Sequence, residues 1–206
     1  MLVISYLFPP GLEMGAQACA QIARYLPAYA WTPIVLTARG DGGHVDSPPV
    51  EGIVPETVIR TPVIPHPFSV YRQLKSRLGI VAEVTLGETG QNGSVRRRGT
   101  ASRWVLSMLA APDIYTGWIP PAVVAGLQAL QRHRIKHLFS SGPPWTTHLV
   151  ALILARLSGL PWTAHFRDPW TGPPSEMARL KPVTALSFRF EKALERMVVR
   201  RADAVV

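Results

Sequence analysis

Residues 139–170 read FSSGPPWTTHLVALILARLSGLPWTAHFRDPW, and few arrangements can satisfy that pattern. A short apolar run at 137–139 enters a Ser-Ser-Gly-Pro-Pro turn. An almost wholly apolar helical segment follows from Thr146 to Leu157, and residues 159–161 break it. A second short run, 162–166, ends on Arg167, Asp168, Pro169 and Trp170. The order is strand, turn, buried helix, strand, and then a polar cluster at the strand's end. In an open parallel sheet, ligands sit beyond the carboxyl ends of the strands, so charge placed there points to chemistry more than to packing.

The rest of the chain repeats the alternation. Residues 2–7 are apolar without a period of two, as in a parallel strand covered on both faces. After Phe8-Pro9-Pro10-Gly11, the residues Ala16, Cys19, Ile22, Ala23, Leu26 and Ala30 recur at helical spacing. Trp31-Thr32-Pro33 ends that helix, and 34–37 is a second strand. A polar loop over 38–56 leads to a third strand at 57–61. Beyond it the pattern predicts a basic helix at 69–78, a Gly-rich loop at 87–99, and helices at 104–111 and 121–131 joined by 112–120. A Pro-bearing loop covers 171–182. Leu186, Phe190, Ala193, Leu194, Met197 and Val198 then mark the inward face of a helix whose other side carries Arg189, Lys192, Arg196 and Arg200. Residues 202–206 begin another strand. Strands alternating with helices predict an α/β chain with a Rossmann-like, doubly wound, mostly parallel sheet. Right-handed crossovers place all strand ends on one edge. The loops at 8–15, 140–144 and 165–170 therefore face one crevice.

With 206 residues, 47% hydrophobic and 17% charged, the chain can bury a core. No apolar run reaches the roughly 18 residues needed to span a bilayer. MLVISYLFPP lacks a basic leader and reads as a first strand, not a signal peptide. The single Cys19 leaves no internal disulfide and no multi-cysteine metal site, which suits the cytoplasm. A net charge of +9 favours anionic partners such as a membrane surface or phosphorylated substrates. The basic residues are scattered, without the aromatic interleaving of single-strand binders, which argues against nucleic acid.

Candidate site residues come from the three loops. Gly11 and Gly15 flank the first helix start, where free N–H groups favour anions; a tight strand–helix turn would use the same glycines. Ser140, Ser141 and Gly142 suit sugar or phosphate contacts, or a plain strand–helix connection. His148 either points back into the crevice or stacks in the core. His165 and Arg167 share a strand face and Asp168 opens the loop. Arg supplies a planar fork for phosphate, and Asp accepts from a hydroxyl or acts as a base; the alternative is an internal Arg167–Asp168 pair. Asp113, Tyr115 and Trp118 in PDIYTGW suit sugar stacking, or a loop pinned by aromatics. No Walker loop, zinc spacing or nucleophile elbow occurs.

In this order and spacing, FPPGLEMGAQ, AWTPIVLT, PDIYTGW, SSGPPWTTH, AHFRDPW and ADAVV resemble the N-terminal domain of GT-B glycosyltransferases of the family-4 retaining type. The similarity spans essentially the whole chain and is strongest to the subset building bacterial surface polysaccharides. It implies two Rossmann-like domains facing across a cleft, of which residues 1–206 are the acceptor-side one. The donor domain would lie outside this sequence, so the chain alone is expected to be inactive. The resemblance implies transfer, with retention and without a bound metal, from a UDP- or GDP-sugar as co-substrate to a lipid-linked or saccharide acceptor. It places the enzyme in the cytoplasm, peripheral at the inner membrane face. Gly15 would approach the donor, and His165, Arg167 and Asp168 would border the reacting centre. Many relatives carry an acidic residue where His165 stands and more glycine where Leu12-Glu13-Met14 stand. A non-catalytic scaffold domain, or one subunit of a split transferase, is the alternative expectation.

Overall fold

The computed structural model describes residues 1–11, 13–39, 57–65, 111–171 and 185–206. The expected helix at 69–78 and loop at 87–99 lie outside them, as do the expected helix at 104–111 apart from Ala111, the loop at 38–56 apart from its first two residues, and the loop at 171–182 apart from Thr171.

Among the described residues, six strands form one sheet: β1 (Leu2–Ile4), β2 (Ile34–Ala38), β3 (Val58–Thr61), β4 (Leu138–Gly142), β5 (Trp162–Phe166) and β6 (Ala204–Val205). Their order is β3-β2-β1-β4-β5-β6, and every neighbouring pair is parallel. This is the doubly wound Rossmann-like order, in which the chain works outward from β1 to one edge, then crosses to β4 and works outward to the other. The winding reverses between β1 and β4.

The strands' period of two divides the core. Leu2, Ile4, Ile34, Leu36, Leu138, Trp162 and Ala164 point to one face, Val3 and Val35 to the other. The second face is covered by helix α1 (Met14–Tyr25) through Cys19, Ala20 and Ala23. These small side chains let the helix sit close on the sheet. The helix stops earlier than its apolar spacing suggests. Pro27 has no N–H to continue the ladder, and the chain tightens into a 3-10 turn at Leu26–Tyr29 that ends on Ala30 with a φ of 61°.

The first face is covered by α2 (Ile119–His133), α3 (Thr146–Ser158) and α4 (Ala185–Arg201). Ala122, Gly126 and Ala129 make the buried stripe of α2. A methyl at Gly126 would lie 2.6 Å from Leu154 Cδ1, so this glycine sets how closely α2 and α3 approach. Gly159, at a φ of 68°, ends α3 and returns its N–H to Ala155 O at 2.9 Å.

The face of α4 differs from its sequence pattern. Its buried residues are Ser187, Glu191 and Val198. Leu194 is partly buried, whereas Leu186, Phe190, Ala193 and Met197 are exposed.

Candidate functional site

The loops that follow β1, β4 and β5 meet at the point where the winding reverses. The backbone of Tyr6, just past β1, is held from two sides. Its N–H donates to Thr147 Oγ1 at 3.3 Å, and its carbonyl accepts from Thr37 Oγ1 at 3.1 Å. Arg60 of β3 donates to Pro9 O and ties down the same loop. Gly11 lies beside Glu13, where an added methyl would sit 2.3 Å from Oε2. Its carbonyl accepts from Gln17 Nε2 at 3.4 Å.

Arg167 joins the three loops. Its backbone N–H donates to Gly142 O at 2.9 Å, and its guanidinium donates to Pro143 O. The same guanidinium covers Gly15, where a Cβ would stand 2.1 Å from Nη1. The glycine leaves room for that close approach. Its consequence is electrostatic: a guanidinium and the positive end of α1 lie side by side. Burial lowers the Arg167 pKa, while Cys19 and Asp168 oppose the shift. Arg167 Nε is buried without a hydrogen-bond partner. Asp168, the next residue, is exposed.

His165 sits on the same strand face, half-exposed. Its Nδ1 lies 3.1 Å from Ser141 Oγ, and its ring stacks on Phe139 at 5.8 Å. Burial first, and Arg167 second, lower its pKa below the ordinary imidazole value. The ring is therefore neutral at neutral pH, with Nε2 left to exchange a proton or hydrogen bond.

Ser140 points to the opposite face of β4 and serves the interior. Its Oγ accepts from Trp162 Nε1 at 2.8 Å and lies 2.8 Å from His148 Nδ1. His148 is fully buried, stacked on Phe166 at 4.5 Å and flanked by Trp145, itself stacked on Trp170 at 5.2 Å. Of the two placements open to His148, the structure shows the core one. A methyl on Gly142 would reach within 2.7 Å of His148 Nε2, so this glycine makes room for the ring.

Asp113 and Trp118 hold the frame. Asp113, only 5% exposed, accepts from Thr146 N and Tyr115 N at 2.9 Å and from Thr146 Oγ1 at 2.5 Å. It caps α3 from a segment remote in sequence. Trp118 is completely enclosed and donates through Nε1 to Thr61 Oγ1 at 2.7 Å. Neither presents a face for a sugar to stack on.

Of the sequence candidates, Gly15, Ser141, Gly142, His165 and Arg167 are linked by close approach or hydrogen bonds at the carboxyl edge of the sheet, with Asp168 exposed beside them. Ser140 and His148 lie in the interior, and Gly11 beside Glu13. Thr37, Thr147 and the Trp145–Trp170 stack are positioning residues that the pattern did not single out. The Thr146-Thr147 pair opening a helix was the available signal. Cys19 is fully buried, and burial pushes its thiol up to about 11. Among the described residues no group of three His, Cys, Asp or Glu is placed to hold a metal ion. Compared with known proteins, the chain matches no family model and no curated sequence.

Proposed function

We propose that the chain is the acceptor-side half of a retaining glycosyltransferase of the family-4 GT-B type. It would move a sugar from a nucleotide-sugar to a lipid-linked or saccharide acceptor at the cytoplasmic face of a membrane. The observation that carries this reading is the Arg167 guanidinium lying on Gly15 at the N-terminus of α1, where the sheet reverses its winding. A leaving nucleoside diphosphate gains negative charge as the anomeric carbon–oxygen bond breaks. A guanidinium and a helix N-terminus are donors suited to that charge. The incoming acceptor hydroxyl must lose a proton, and His165 and the exposed Asp168 border the same crevice. The donor's nucleoside would be held by a second domain, so residues 1–206 alone turn over no nucleotide-sugar.

Saturation-transfer NMR on the purified chain tests the reading, with free saccharides, lipid-linked saccharides, and UDP- and GDP-sugars as probes. We expect the saccharides to bind without turnover, and the UDP- and GDP-sugars to bind weakly through their diphosphate, with Arg167→Gln lowering that second binding by about tenfold, the scale of a lost charged hydrogen bond. A panel without a binder, nucleotide-sugar binding indifferent to Arg167→Gln, or transfer by the isolated chain would each refute it.

A further inference from the structure

Helix α4 leaves on the surface the stripe that its sequence offers to a core. Leu186, Phe190, Ala193 and Met197 recur every three or four residues and so share one side of the helix. All four are exposed, the three large ones by 41%, 41% and 39% in that order. Arg189, Arg196 and Arg200 each stand three residues beyond Leu186, Ala193 and Met197. They form a second exposed stripe beside the first, and Arg201 flanks the other side. Among the described residues, no carboxylate interrupts this sector. The two acids of the helix turn away from it: Glu191 is buried, and Glu195 accepts from the Thr171 hydroxyl.

We propose that this sector of α4 docks the chain on an anionic lipid bilayer. Charge complementarity selects the occupant, because four arginines without an acid call for a negative surface. An apolar stripe alongside calls for one that also has an apolar interior just below its charge. A bilayer's headgroup boundary offers both at that depth, and arginine can lay its methylenes along the acyl region while its head stays with phosphate. The 17 residues of α4 lie along such a surface, and among the described residues no helix is long and apolar enough to cross it. The inference rests on α4 alone, so failure of the sugar-transfer reading leaves it standing.

Flotation with phosphatidylcholine vesicles, with and without phosphatidylglycerol, tests it. Binding is expected only with the anionic lipid and should fall as salt rises. The triple variant R189Q/R196Q/R200Q should weaken partitioning roughly a hundredfold, at about fivefold for each arginine near the surface. The control triple R132Q/K136Q/R156Q removes the same charge elsewhere and should change partitioning far less. A polarity-sensitive dye on Met197→Cys should shift to the blue on anionic vesicles, with Cys19 too buried to label. Equal losses from both triples, absence of vesicle binding, or a blue shift produced by concentrated protein without vesicles would overturn the proposal. The last result would mean that a second copy covers the stripe.

Discussion

Replacing His148 by Phe should flatten the acid side of the chain's stability curve. His148 is fully enclosed, bonded at Nδ1 to Ser140 and without a partner at Nε2. Burial, reinforced by the positive charges of His165 and Arg167, pushes its pKa down from 6.5 to about 3. The unfolded chain therefore binds a proton between those two values that the folded chain refuses. Stability contributed by the neutral ring is complete above 6.5 and declines as pH falls toward 3, with no further loss below. One pH unit inside that window is worth about 1.4 kcal/mol. Lowering pH from about 7 to about 5 should thus remove about 2 kcal/mol through this one residue. Urea denaturation of both proteins at the two pH values measures it. Phe keeps the ring stack but deprives the Ser140 hydroxyl of its acceptor, so the variant should start about 1 kcal/mol less stable. Its loss on acidification should be smaller than wild type's by about 2 kcal/mol. His137 and His165 remain in both proteins and largely cancel. Equal losses in the two proteins would show that His148 is not held neutral by its surroundings.

Asp113→Ala should destabilise the chain by about 3 kcal/mol, because it removes a helix cap and strands the buried Thr146 N–H and hydroxyl. A loss below about 1 kcal/mol in chemical denaturation, the usual effect of an ordinary surface substitution, would show that the cap carries no weight. Gly15→Ala should leave the melting midpoint nearly unchanged, since the helix gains up to about 1 kcal/mol from alanine while only a side-chain end must yield. It should move the Arg167 Nε–H resonance in NMR, and an unshifted resonance would contradict the close approach. Gly117→Ala should cost roughly 1–3 kcal/mol. Here a methyl would meet the Ile64 carbonyl at 1.9 Å, and backbone cannot swing aside. A thermal melt like wild type's would refute that contact.

The sequence alone determined the architecture. An apolar run without alternation marked β1 as a parallel strand covered on both faces, because such a strand cannot show a period of two. Pro and Gly placed the breaks, and parallel right-handed winding then required the loops after β1, β4 and β5 to share an edge. That reasoning already put Gly15, Gly142, Ser141 and Arg167 around one crevice. Only the tertiary structure decided what each side chain meets there. Nothing local says that Asp113 caps a helix starting at Thr146, or that Trp118 finds its acceptor on Thr61. Nor does spacing tell whether His148, near the start of α3, turns to the crevice or to the interior. The Ser140–Trp162 hydrogen bond and the Phe166 ring settle that from other strands. The same holds for α4, where Ser187, Glu191 and Val198 face inward and the apolar stripe does not. Periodicity fixes which residues share a side of a helix, because that follows from its 3.6-residue turn. Which side is buried depends on what packs opposite, and that is settled only when the elements meet.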